Sequence, residues 1–215
     1  MLFYPPSKTN MKRYFILLLL LGINLNLSAQ DSLSENLRLG VFFTLDKNVS
    51  SDFVAIFEDI GFSTDYSKIN YKAGLSVEYF LKNGFSLNSG VNYSNKNFTG
   101  TFTCATCLSI SLWGAETIEL QFIEIPVSIK YYFALGKLNM YADLGLINQY
   151  AIATEILNRK YIISGKLGCG IEYNFNPKLA FQFFTEYNNG LTNMFEESDF
   201  KLQTISLGFG LVKKI

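Results

Sequence analysis

The chain contains no histidine. That removes the commonest general base, the usual proton shuttle and the commonest metal ligand together, and it weighs against most hydrolase and metalloenzyme functions. Charge is scarce for 215 residues, at 17% against 49% hydrophobic, which points to a surface that meets lipid. The 18 basic and 18 acidic residues cancel, so no polybasic footprint argues for nucleic acid. Proline is rare, with 4 residues, and cysteine rarer, with 3. What the chain has instead is 20 Phe, 13 Tyr and 1 Trp, a composition that favours strands over disorder.

No apolar run is long enough for a membrane-spanning helix. Tyr14 to Leu21 falls well short of the roughly 20 residues a span requires. It does follow the basic Met11-Lys12-Arg13 and precede Asn26-Leu27-Ser28-Ala29-Gln30, the basic, apolar and small-residue succession of a secretory signal peptide. Residues 1–29 therefore divide into an upstream extension, Met1 to Asn10, and a signal cleaved after Ala29. Residues 30–215 form the barrel domain, with 15 basic and 18 acidic residues. Mass spectrometry of the mature protein is expected to start at or near Gln30; an amino terminus at Met1 or Met11 in the membrane fraction would contradict it.

The domain alternates with period two, the signature of strands. Ile69, Tyr71, Ala73, Leu75, Val77, Tyr79 and Leu81 oppose Asn70, Lys72, Gly74, Ser76 and Glu78. The same rhythm runs through Leu37 to Phe43, Phe85 to Tyr93, Ile125 to Tyr131, Leu138 to Leu146, Ile163 to Tyr173, Phe181 to Tyr187 and Ile205 to Leu211. Eight strands result, mostly about ten residues long, the length that crosses an outer membrane at a tilt. Lys82-Asn83-Gly84, Ala134-Leu135-Gly136-Lys137 and Asn176-Pro177-Lys178 make tight turns between them. The other connections, about Asp46 to Lys68, Asn95 to Thr117, Asn148 to Lys160 and Asn188 to Lys201, are long.

Strict alternation of short and long links predicts an all-β fold: an eight-stranded antiparallel up-and-down transmembrane β-barrel with short periplasmic turns and long extracellular loops. Aromatic clusters before the turns (Tyr79-Phe80, Tyr131-Tyr132-Phe133, and Tyr173 with Phe175) read as an interfacial girdle. A soluble barrel would instead turn its apolar face inward. Lipid is favoured because the polar face holds small residues with Arg38, Lys72, Lys130 and Lys166 balanced by Glu78, Glu124, Asp143, Glu172 and Glu186, while the apolar face is uncharged through the middle of most strands. These nine are the barrel-interior charges, expected to pair and to block conduction. Pro126 cannot donate to a ladder and must mark a bulge, a bend or an unpaired point.

Glu124-Ile125-Pro126-Val127-Ser128-Ile129-Lys130-Tyr131-Tyr132-Phe133 resembles a strand of the PorT-like outer-membrane β-barrel proteins. Tyr141-Ala142-Asp143-Leu144-Gly145, Gly168-Cys169-Gly170-Ile171-Glu172-Tyr173 and Tyr187-Asn188-Asn189-Gly190-Leu191-Thr192-Asn193-Met194 are similar to further elements of that family. The likeness spans about Leu37 to Val212 and implies fold more than function. It implies contact with the barrel-insertion machinery and a surface or secretion-system protein partner; the chain departs from the family by ending Val212-Lys213-Lys214-Ile215 without the terminal aromatic, so either the signal lies at Phe209 and Leu211 or insertion is less standard.

No catalytic residue, cofactor site or metal site is expected. Cys104 and Cys107 have the spacing of a zinc or redox pair but lack a second Cys or His pair, so a loop disulfide is the economical alternative. Cys169 falls on the apolar face. The function expected is structural or surface-binding, acting through Phe53 to Phe62 and Thr99 to Trp113; a secretion or gliding component and a narrow pore are the alternatives.

Overall fold

The computed structural model describes residues 36–50, 53–57, 60–104, 115–135, 137–153, 160–194 and 199–215, within which twelve strands are defined. Residues 1–29, expected to be an extension and a cleaved signal, lie outside this set. Eight strands close a barrel: β1 (Leu37–Asn48), β4 (Asn70–Phe80), β5 (Phe85–Asn95), β8 (Gln121–Leu135), β9 (Leu138–Ala153), β10 (Tyr161–Asn176), β11 (Leu179–Gly190) and β12 (Gln203–Lys214). Each is antiparallel to its neighbour, and β1 pairs with β12 from Arg38↔Lys214 to Asn48↔Thr204, so the barrel has no edge.

The turns follow from their residues. Asn83 and Gly84 both have positive φ, 63° and 81°, the two left-handed positions that a tight hairpin matching strand twist requires. In the turn before β11, the Asn176 side-chain oxygen accepts from the Lys178 and Leu179 amides at 2.9 and 2.8 Å.

Period-two alternation sorts the side chains cleanly. Leu75 and Leu144 stand 63% and 67% exposed on the outer face, where Leu39, Val91, Val127, Leu167 and Leu207 are also exposed. Glu124, Glu172 and Ser206 are fully buried on the inner face. A globular core is thus inverted: apolar surface lies outside and polar groups inside, stable only where the outer solvent is hydrocarbon.

Pro126 interrupts a ladder without shifting it. Pairing between β5 and β8 runs through Asn88↔Ser128 and Ser89↔Val127, skips Gly90 and Val91, and resumes in the same register at Asn92↔Glu124. Pro126 is therefore an unpaired point and not a bulge, and the Ser89 hydroxyl donates to its carbonyl at 2.8 Å. Nearby, a Cβ on Gly145 would collide with the Val127 carbonyl and the Ser128 backbone. Backbone cannot step aside as a flexible side chain would. Gly145→Ala is expected to cost about 1–3 kcal/mol, the usual range for overpacking, read as a lower urea midpoint of the folded barrel.

The first two long connections are more than loops. They carry β2 (Phe53–Phe57), β3 (Ile60–Asp65), β6 (Phe98–Cys104) and β7 (Ala115–Ile118), which form a second sheet in the order β2-β3-β6-β7. That order repeats the barrel order β1-β4-β5-β8, so the sheet prolongs this part of the wall past the long-loop rim. At the same rim Phe98, Ile118, Leu120, Phe122, Ile162, Met194, Phe200 and Leu202 form a buried apolar cluster, with Tyr66 and Ala151 against it.

Candidate functional site: a filled lumen beneath a projecting sheet

Inward-facing charges occupy three levels. Nearest the long loops, Lys96 lies 3.3 Å from Glu124 and 4.0 Å from Asp46. Ser94 and Gln149 donate to Glu124 at 2.7 and 2.8 Å, and Thr44 to Asp46 at 2.5 Å. At mid-height Glu186 bridges Lys72 at 2.6 Å and Lys166 at 2.8 Å, and Lys166 also reaches Asp143 at 2.8 Å. Nearest the short turns, Arg38 contacts both oxygens of Glu172 at 3.0 Å, and Gln182 adds a bond to the same carboxylate at 2.8 Å. Beside it Glu78 accepts from Ser86 and Tyr132 at 2.6 and 2.7 Å and lies 3.8 Å from Lys130.

Charge, hydrogen bonding and aromatic faces cooperate there. The Arg38 guanidinium sits 4.1 Å from the centre of the Phe80 ring, and the Lys130 ammonium 4.9 Å from that of Tyr141. Phe80, Tyr132 and Tyr141 pack in sequence as tilted rings, 5.3 Å between successive centroids. This corrects the reading of Phe80 and Tyr132 as girdle residues: their alternation phase turns them inward to floor the lumen. Phe133, Tyr173 and Phe175 face outward at the short-turn rim.

Arg38, Lys72, Glu78, Glu124, Lys130, Asp143, Lys166, Glu172 and Glu186 all point inward, and each has an oppositely charged partner within 4.0 Å. Sequence reading missed Lys96 and Asp46, having assigned both to loops. Their parity held the signal: Lys96 continues Asn92 and Ser94, and Asp46 continues Gly40, Phe42 and Thr44. Cys104 ends β6, whereas Cys107 lies outside the described residues, as does most of Thr99 to Trp113 beyond Cys104. Cys169 is exposed on the outer face. Among the described residues no group of three His, Cys, Asp or Glu side chains could hold a metal ion.

Within the lumen, a cavity of about 40 Å³ is bordered by Lys72, Asn88, Asn92, Tyr141, Asp143 and Glu186. That accommodates water and not a hydrated ion in transit. Planar-bilayer recordings of refolded protein are expected to lack steady porin-like steps; reproducible steps would show that the ion pairs separate.

The family profile described as outer membrane protein beta-barrel domain matches residues 15–212. No curated protein sequence matches the chain. Among solved structures, Neisserial surface protein A (NspA) superposes with a TM-score of 0.54 at 14% identity, covering 83% of this chain and 97% of its own. OprG from Pseudomonas aeruginosa gives 0.49 at 15% identity, covering 83% and 95%. Ail of Yersinia pestis, solved with the heparin analogue sucrose octasulfate, gives 0.45 at 15%, covering 83% and 99%.

Proposed function

The chain belongs to the outer membrane protein β-barrel domain family and resides in the outer membrane, and from that premise we propose that it is a non-enzymatic surface-binding scaffold. One observation carries this reading: the sheet β2-β3-β6-β7 prolongs the wall of a barrel whose inward charges are paired with one another. Among the described residues β2 and β7 each have a single strand neighbour, which leaves one side of each backbone to add a strand from a partner. The interior argues against chemistry. Its carboxylates are neutralised by lysine and arginine, Ser86 and Ser94 donate to two of those carboxylates, and no histidine exists to act as base.

A photo-crosslinking residue at position 55 or 116 in intact cells tests the reading. Adducts of one discrete mass should form from these positions and not from position 137 at the opposite rim. Equal or absent labelling at both rims would remove the argument for the projecting sheet.

A second reading, a component of a PorT-like secretion or gliding apparatus, is supported by the four PorT-like motifs, the longest of which builds β8. A strain lacking the protein would then retain its secreted surface proteins inside the cell. Export through cleavage after Ala29 belongs to both readings.

A further inference from the structure

Among the described residues, the exposed side-chain charges of the short-turn rim are lysines. Lys82 lies in the β4–β5 turn, Lys137 in the β8–β9 turn and Lys178 in the β10–β11 turn, while Lys213 and Lys214 close β12. None of the five has an ion-pair partner among the described residues, in contrast to every cation in the lumen. All but Lys214 are exposed. At the opposite rim Asp65, Glu116, Glu119 and Asp199 stand among Lys47, Lys68, Lys160 and Lys201, so among the described residues the one-signed charge is peculiar to the short-turn end.

We propose that this lysine ring binds the phosphate headgroups of anionic lipid in the periplasmic leaflet, fixing the depth at which the barrel sits. Position favours lipid over a soluble acidic partner. Lys213 belongs to the outward-facing set of β12, and its register partners are Leu39 on β1 and Leu179 on β11, both exposed apolar residues of the hydrocarbon-facing surface. An ammonium there extends from an apolar wall along the bilayer normal, with its methylenes on that wall and its charge at headgroup level. Lys178 and Lys213 line one surface groove with Leu179, Asn176 and Pro177, so two cations flank an apolar floor, the complement of a phosphate above an acyl chain. Phe133 and Phe175, exposed beside Lys137 and Lys178, place the turns at the level where aromatic rings meet headgroups. Attraction of each lysine to an anionic surface is modest, so the ring acts collectively.

The test is unfolding of the refolded protein in vesicles of phosphatidylcholine alone and of phosphatidylcholine mixed with phosphatidylglycerol, followed by its shift on unheated gels. At low salt the wild type is expected to unfold about tenfold more slowly in the mixed vesicles, and high salt should abolish the difference. The combined K82Q, K137Q, K178Q, K213Q and K214Q variant should lose most of that difference, whereas K47Q with K160Q, at the opposite rim, should keep it. Equal rates for the wild type in the two vesicles would overturn the proposal without any variant having to fold. So would an undiminished difference in the five-lysine variant, or its loss in the opposite-rim control.

Discussion

Replacing Glu186 by Gln is expected to cost about 3–5 kcal/mol of folding stability, the range for removing one member of a buried ion pair. Glu186 is the shared anion of the mid-lumen, 2.6 Å from Lys72 and 2.8 Å from Lys166. Lys166 would keep Asp143 at 2.8 Å, but Lys72, 2% exposed, has no second carboxylate within 4.0 Å among the described residues. The cost is thus concentrated on one stranded ammonium. Replacing Lys72 by Met together with Glu186→Gln removes that ammonium and should restore more than half of the loss, because neutral groups of similar shape carry little desolvation cost. Urea unfolding in vesicles, read by migration of unheated samples, measures both variants. A Glu186→Gln barrel as stable as the wild type would mean that water already solvates the mid-lumen.

This network was largely legible before any coordinates, since period-two alternation assigns a face to every residue of a strand once one residue is placed. Lys72, Glu78 and Glu186 needed only parity. Partnership was not legible, because Lys72 meets Glu186 across the barrel at a sequence separation of 114, which depends on closure and stagger. The second sheet was missed for a different physical reason. Phe53-Val54-Ala55-Ile56-Phe57 is a continuous apolar run, and in Phe98-Thr99-Gly100-Thr101-Phe102-Thr103-Cys104 threonine occupies every other position. Strands of 5 and 7 residues are too short to cross a membrane, so a search for membrane-length strands leaves them in loops. The apolar cluster at the mouth draws single residues from β6, β7, β8, β10 and the β7–β8 link, and Met194, Phe200 and Leu202 from the connection before β12. No local pattern announces a core assembled one side chain at a time.

The choice of faces has the second large consequence. Replacing Leu75 by Arg is expected to cost about 2–4 kcal/mol, the penalty for a cation at mid-bilayer on the lipid face of a barrel. Leu75 lies near the middle of β4, 63% exposed, between Val41 on β1 and Val91 on β5, which are exposed on the same face. An arginine there has no carboxylate beside it and must distort the bilayer or stretch toward a distant interface. Leu75→Gln separates polarity from charge and should cost less. Ser128→Arg acts by a different route, since Ser128 is 2% exposed and packed against Gly145, so the guanidinium would be forced into a lumen already filled by paired charge. Nitroxide labels distinguish the two faces independently of stability. Those at 75 and 127 should be relaxed by lipid-soluble oxygen, and those at 76 and 128 should be shielded from it. The reverse pattern would turn the barrel inside out, place the apolar wall around a ligand, and remove the membrane from every argument that rests on it.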